Sequence, residues 1–386
     1  MTDLRAERHA LAERLVEAGA ITGPEWRRAV EDVPREEFLS GGVFVPDESG
    51  RWSPVLAEGL SPELVYSDRS LVTQLDGTAT PETAPVPFTG APTSSSTQPS
   101  VVLDMLRRLD VRDGQSVLEI GTGTGYSTAL LCHRLGEDAV TTVEVDRDVA
   151  RRADEALERV GYSTWTVVGD GLVGHPARAP YDRVVATCAV RRVPYAWVRQ
   201  TRPGGRILTT LGSWPNGAGL ALLTVGEDGA AEGGMVGHSS FMHARSHVPA
   251  TVAGDLAARL AYPDTRREAE VHPALLLGGD MPALLAQLAA PGSQIVQLAG
   301  RGERDHGMVL IDVARESFAE FVPVGTRWAV AQGGPVPLWD RVEKAILAWQ
   351  QAGRPGVEAV RVRVTREAHQ YWIDGHAALS WEDRVA

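Results

Sequence analysis

The chain has 386 residues, 43% hydrophobic and 23% charged, with 50 acidic against 38 Lys and Arg side chains and a net charge of −12. This composition excludes a mainly disordered chain, and the acidity argues against a general nucleic-acid binder, which needs clustered basic surface. No apolar run approaches the ~20 residues that cross a bilayer, so no membrane partner is expected.

Residues 4–18 place Leu4, Leu11, Leu15 and Val16 at helical spacing, with Gly19 as the stop. The opening is charged and amphipathic, unlike a signal peptide. Thr22 is placed to cap a second helix whose Pro24 fits the first turn. Residues 40–98 are rich in Gly, Pro, Ser and Thr and read as loop, with short extended pieces such as 70–75. A loop this long in a compact protein points to function. It ends in Thr93-Ser94-Ser95-Ser96-Thr97-Gln98, before a helix at 101–109.

From Gln115 to Leu223 the pattern alternates. Strands are expected at 116–121, 139–146, 164–170, 181–190 and 204–212, and helices at 126–135, 148–161 and 193–201. Such alternation predicts a parallel sheet with helices on both faces. The Gly-rich run 227–240 reads as a link. Beyond it, strands are expected at 250–254, 293–300 and 306–313, an amphipathic helix at 337–353 and an alternating strand at 357–365. These belong to a separate α+β domain.

The strongest motif is Glu119-Ile120-Gly121-Thr122-Gly123-Thr124-Gly125-Tyr126, which follows a strand and opens a helix. Glycines there let a ligand approach the backbone, and the helix start offers free N–H groups. A dinucleotide fingerprint needs glycine where Tyr126 stands, which disfavours a nicotinamide oxidoreductase. Glu119 suits a cationic ligand, and S-adenosylmethionine carries a sulfonium and an amino group without phosphate. Glu144, followed by Val145, ends the next strand about 20 residues on, where a carboxylate accepts both ribose hydroxyls. Asp146 serves either that ligand or the local structure. Asp170, between Gly169 and Gly171, is placed to accept from an adenine amino group.

These motifs, with Tyr181–Thr187 and Pro203–Thr209, resemble the class I S-adenosylmethionine-dependent methyltransferases and, more closely, the protein-L-isoaspartate O-methyltransferases. The opening helices and a Tyr-x-Asp segment at Tyr66 and Asp68 resemble that family too. The resemblance covers residues ~4 to 215. It implies an α/β, Rossmann-like doubly wound fold with N-terminal helices and substrate-side loops (1–90), a cofactor-binding core (91–225) and a C-terminal α+β accessory domain (235–386). It implies S-adenosylmethionine as cofactor, bound by Glu119, Gly121, Thr122, Gly123, Gly125, Tyr126, Glu144, Val145, Asp170 and Gly171.

One departure stands out. The family carries a Ser-Ala-Pro-His-type loop where this chain has 93–99. Together with the long C-terminal extension, this resembles a divergent branch that accompanies ATP-grasp-crosslinked ribosomal peptides (graspetides). That branch methylates an aspartyl side chain, and the ester closes to an aspartimide. By this resemblance the partner is a modified, ATP-grasp-crosslinked precursor peptide. Methyl transfer to a carboxylate needs uncharged donors around the acceptor, since a pressed-on cation would quench the nucleophile. Ser94, Ser95, Ser96, Thr97 and Gln98 can supply them. Isoaspartyl repair and a non-catalytic cofactor-binding peptide module stand as alternatives.

Other features were weighed. His243 and His247, four apart, lack the glutamate and third ligand of a zinc motif and instead border the substrate site at most. No metal is expected. Arg191 and Arg192 follow the fourth strand and either attract an acidic peptide or sit in solvent. Cys132 and Cys188 cannot build a disulfide framework, which points to a reducing, cytoplasmic setting.

Overall fold

The computed structural model describes residues 4–214, 216–250, 252, 260, 262–298 and 307–385. They fall into two units, residues 1–188 with 196–208, and residues 189–195 with 209–386.

The first unit opens with α1 (Arg5–Glu17) and α2 (Pro24–Asp32), which bury Leu11 and Leu15, and Trp26 and Val30, respectively. The expected Thr22 cap is absent. Gly23 is the N-cap and makes no side-chain bond, and Pro24 removes one of the N–H groups a cap would serve. Residues 40–98 depart furthest from expectation. They contain β1 (Val43–Pro46), β2 (Trp52–Val55), α3 (Pro62–Val65), β3 (Leu71–Leu75) and β4 (Pro92–Ser96). The strands form an antiparallel sheet in the order β2-β1-β3-β4. The Ser/Thr run expected to be a loop is therefore strand β4. Its ladder to β3 and period-two alternation bury Ser94 and Ser96. Hydroxyl side chains hide that alternation from a hydrophobic pattern.

Next come α4 (Pro99–Leu109), β5 (Val117–Ile120), α5 (Tyr126–Leu135), β6 (Val140–Glu144), α6 (Arg147–Arg159), β7 (Trp165–Val168), β8 (Tyr181–Val190), α7 (Tyr195–Gln200) and β9 (Thr201–Leu211). The order is β9-β8-β5-β6-β7, with β5 parallel to both β6 and β8, and β6 parallel to β7. Strands β5 and β6 are buried at every position, Glu119, Thr141, Thr142 and Glu144 included, as central strands covered on both faces are. The strand order reverses at β5, so a crevice opens at its carboxyl end. This is the expected Rossmann-like class I methyltransferase fold. The division between the units falls inside β8 and β9.

The second unit contains β10 (Gly219–Val225), β11 (Ala231–His238), β12 (Thr265–Glu268), α8 (Leu275–Gly278), α9 (Asp280–Ala289), β13 (Gln294–Leu298), β14 (Gly307–Asp312), β15 (Ser317–Val324), β16 (Arg327–Gly333), α10 (Leu338–Gln351), β17 (Val360–Val364), β18 (Ala368–Ile373) and β19 (Ser380–Arg384). One antiparallel run is β10-β11-β17-β18-β19, and a five-stranded antiparallel sheet runs β12-β16-β15-β14-β13. Leu276, Ala283, Leu310, Phe321, Trp339 and Ile346 share one core, with Phe321 and Trp339 edge to face at 4.7 Å. The Gly-rich run read as a link contains strand β11. A Cβ at Gly233 would stand 2.0 Å from the Leu222 carbonyl oxygen, so glycine is needed for this backbone approach. Of the strand expected at 250–254, only Ala250 and Val252 lie among the described residues.

Candidate active site

Strand β5 delivers the chain into the turn Gly121–Gly125, and α5 starts immediately after it. Gly121 has φ +94°, and a Cβ there would meet the Thr187 hydroxyl at 2.9 Å. That hydroxyl donates to the Gly121 carbonyl at 2.5 Å and fixes the turn from β8. No side chain caps α5 at Gly125, so its leading N–H groups have no capping side-chain acceptor.

Glu144 ends β6, and its carboxylate accepts from Gly123 N and Asp146 N, each at 3.0 Å. The two bonds aim the carboxylate at the turn and leave lone pairs for further donors. Val145 beside it is exposed, while Asp170 stands exposed beyond β7 and accepts from Leu172 N. Burial pushes the Cys188 thiol up to about 12, and the Glu144 and Asp170 carboxylates add to the shift. Glu144 ends β6, Asp170 follows β7 and Cys188 lies near the end of β8, so all three belong to the carboxyl edge of the parallel strands. Asp146 caps α6 through Asp148 N and Val149 N, a structural role. Gly171 packs close under Ile120, where a Cβ would stand 2.5 Å from Cγ2.

Three expected ligand contacts lie underneath the turn. Glu119 is fully buried and accepts from Ser127, Thr128 and Thr142 at 2.5, 2.5 and 3.0 Å. Burial raises its pKa above the usual carboxylate value, against the pull of those hydroxyls. The acid read as facing a cationic ligand instead braces β5 to α5 and β6. Thr122 is 2% exposed, and its hydroxyl bonds Thr142 at 2.7 Å. Tyr126 is also 2% exposed, with its ring edge to face with Phe38 at 5.9 Å and Arg35 5.6 Å above it. What the turn offers a ligand at Thr122 and Tyr126 is backbone.

The acceptor side is built on Arg35, which the sequence reading missed. It is wholly buried. Its guanidinium donates to the carbonyls of Val65, Ser67 and Arg69 at 3.0, 2.7 and 2.9 Å. It also reaches the Ser96 hydroxyl at 3.3 Å and the Ser96 and Thr97 carbonyls at 3.4 Å. Every donor of the fork is engaged, so Arg35 ties β4 to the segment after α3. Nothing in a run such as Pro34–Leu39 marks a buried arginine; it reads as a solvated helical end.

Asp68 accepts from Ser100 N at 2.9 Å and from the Gln98 amide at 3.1 Å, and the same amide donates to Ser100 Oγ at 2.9 Å. Both N–H groups of Gln98 are thus committed, which removes it as a donor to an acceptor carboxylate in this arrangement. Ser94 Oγ accepts from Thr73 at 3.2 Å and lines a cleft of about 50 Å³ with Gly123 and Thr124. A Cβ at Gly123 would lie 3.2 Å from the Ser95 carbonyl, so strand β4 and the glycine turn touch there. Ser95 and Thr97 are half-buried beside this contact.

The two histidines are both engaged with backbone. His243 Nε2 lies 3.2 Å from the Gly212 carbonyl, and His247 Nδ1 accepts from Arg191 N at 3.1 Å. Among the described residues no three His, Cys, Asp or Glu side chains cluster as a metal site, and no helix is long and apolar enough to cross a membrane.

A glycine turn with a carboxylate bonded to it from β6 and an exposed apolar neighbour have the chemistry to fit an adenosyl ligand. Fold and turn together define a class I methyltransferase whose methyl donor is S-adenosylmethionine. The family profile described as "Protein-L-isoaspartate(D-aspartate) O-methyltransferase (PCMT)" matches residues 77–244. The Protein-L-isoaspartate O-methyltransferase of Ignicoccus hospitalis is 33% identical over 204 residues, 52% of this chain and 80% of the relative. That of Thermococcus onnurineus is 36% identical over 204 residues, 52% of this chain and 76% of the relative. The chain belongs to this family and is an S-adenosylmethionine-dependent carboxyl O-methyltransferase of its type. A solved structure named protein-L-isoaspartate O-methyltransferase aligns with 97% of this chain and 99% of its own, at 22% identity and a TM-score of 0.53. That likeness concerns fold alone, but it includes the C-terminal unit.

Proposed function

We propose that the chain methylates the free carboxylate of an isoaspartyl residue in a peptide or protein, with the glycine turn holding the cofactor and β4 presenting the acceptor. The observation that carries this reading is the contact of β4 with the turn at Ser95 and Gly123. When bound, S-adenosylmethionine supplies an electrophilic methyl group. Glu144 would accept from the ribose hydroxyls, Val145 and Asp170 would flank the adenine, and backbone N–H groups of the turn other than those of Gly123 and Gly125, which are bonded to Glu144 and Thr122, would orient the rest. The acceptor is ionised at neutral pH, since free aspartate has a pKa of ~3.9, so no strong base is required. Alignment of the reacting atoms can supply ~7–11 kcal/mol of the barrier. Ser94, Ser95 and Thr97 would hold the carboxylate through neutral hydroxyls, because the nearby cation, Arg35, is spent on carbonyls. The next backbone amide nitrogen then attacks the ester carbonyl, methanol leaves, and a succinimide closes without a further catalytic group.

A second reading has one observation in its favour. The acceptor strand carries Thr93–Pro99 in place of the family's Ser-Ala-Pro-His-type sequence, which suits an aspartyl carboxylate in a crosslinked ribosomal peptide. Parallel incubation with an isoaspartyl peptide and with an ATP-grasp-crosslinked peptide separates the two by mass spectrometry. The first reading expects a methylene gain on the isoaspartyl peptide. The second expects that gain, followed by a net loss of water, on the crosslinked peptide alone. Cofactor binding without either product would overturn both.

A further inference from the structure

The second unit contains a cavity of about 370 Å³ that the methyl-transfer reading does not use. That volume lies within the ~300–1,000 Å³ of ordinary ligand pockets. Three guanidiniums line it, those of Arg191, Arg192 and Arg315, against two carboxylates, Asp312 and Asp383. Both carboxylates are already claimed. Arg192 grips Asp383 through two bonds of 2.5 Å, and Asp312, 1% exposed, accepts from Arg315 N at 3.0 Å and Arg315 Nη1 at 2.9 Å.

Arg191 is different. It is half-buried, and its guanidinium has no hydrogen-bond or ion-pair partner among the described residues. Its backbone N–H is pinned by the His247 ring at 3.1 Å, which holds the residue at the cavity wall. Gly292 marks where the charges converge. A Cβ there would lie 3.2 Å from Asp312 Oδ2, 3.3 Å from Arg315 Nη1 and 3.6 Å from Arg191 Nη2, so the glycine keeps open the space beside the paired Asp312 and Arg315 and the Arg191 head. Leu211, Leu284 and Leu288 supply an apolar wall.

We infer that this cavity is a second binding site, and that its occupant is a carboxylate of an acidic peptide. The surplus guanidinium supplies the charge, the planar fork of arginine matches a carboxylate, and the leucine wall accepts the methylenes of a glutamyl side chain or the residue bearing a chain-terminal carboxylate. The inference rests on the reading of the enzyme as one that acts on peptides. The site would hold a part of the substrate other than the carboxylate that is methylated.

The test titrates the full chain, saturated with S-adenosylhomocysteine, with three short peptides free of aspartate and isoaspartate. One carries glutamates and blocked ends, one is neutral with a free C-terminal carboxylate, and one is neutral and fully blocked. The account expects the first or second to bind above the third, and whichever does so identifies the source of the carboxylate. Arg191→Gln should weaken that binding at least about tenfold with an unchanged melting temperature, whereas Arg327→Gln, an exposed arginine paired with Glu268, should leave it unchanged. Equal binding of all three peptides, or wild-type affinity in Arg191→Gln, overturns the inference. Methylation of an isoaspartyl peptide is measured alongside. Intact methylation without carboxylate-dependent binding removes this site alone, and binding without methylation strikes the functional reading instead.

Discussion

The glycine turn and strand β4 meet at Gly123 and Ser95, yet they rest on opposite buried charges. Beneath the turn lies the carboxylate of Glu119, held by three hydroxyls. Behind β4 lies the guanidinium of Arg35, held by carbonyls and one hydroxyl. In each case the buried charge is consumed by structure, and what faces the crevice is neutral backbone or hydroxyl. The difference is that the donor side has a second carboxylate, Glu144, buried and bonded to the N–H of Gly123 in the turn, whereas the acceptor side keeps no cation from Arg35. A carboxylate acceptor next to an unspent guanidinium would be stabilised as an anion and be a poorer nucleophile.

The comparison can be broken first at Arg35. Replacing it with Met leaves several buried carbonyls without donors, and the account expects a loss of about 3 kcal/mol or more in urea unfolding. A loss below ~1 kcal/mol would mean that β4 does not depend on it. On the donor side, Gly121→Ala places a Cβ 2.9 Å from the Thr187 hydroxyl at a positive φ. The expected result is S-adenosylhomocysteine affinity lowered by about tenfold or more, with the acceptor peptide's KM little changed. Unaltered affinity would show that the turn has room to spare.

Ser94→Ala sharpens the acceptor side. The account expects kcat to fall about tenfold, equivalent to ~1.4 kcal/mol, with cofactor affinity kept. A variant as fast as wild type would move the acceptor away from the Ser94 cleft. The smallest effect is on pH dependence. Glu119 has a folded pKa raised above its ordinary 4.5, so its contribution to stability is full below that value and is lost as pH rises toward the folded value. Glu119→Gln should remove this decline, a slope of at most about 1.4 kcal/mol per pH unit, in unfolding measured from pH 4 upward. Arg35 stays charged throughout this range, so its variant should show no such change of slope. Parallel pH profiles for wild type and Glu119→Gln would contradict the burial argument.

How much of this was legible follows from what each segment buries. Strand β5 is apolar but for Glu119 and β6 sets Val beside Thr, and they end in glycine or acid, so the parallel core, the turn and Glu144 can be read directly. Strand β4 buries serines, and β11 sets its buried Ala231 and Met235 among three glycines, so neither leaves a clear hydrophobic alternation. Arg35 is invisible because a buried arginine is recognised only by the carbonyls it meets, which come from residues 65 to 97 and are brought together by folding. The same holds for Gln98. Its amide looks free in the sequence and is consumed by Asp68 and Ser100 in the fold. Glu119 stands out in the sequence as an acid before the glycine turn and reads there as a ligand contact, but its partners, three hydroxyls on α5 and β6, give it a supporting place under the turn.

The most direct test is calorimetric titration of S-adenosylhomocysteine into the wild-type chain and Glu144→Ala. The account predicts one site per wild-type chain and an affinity at least about tenfold lower in the variant, since a charge-assisted bond of ~1.5–3 kcal/mol to the ribose hydroxyls is lost. Equal affinities in the two proteins would contradict the assignment of this crevice to the methyl donor.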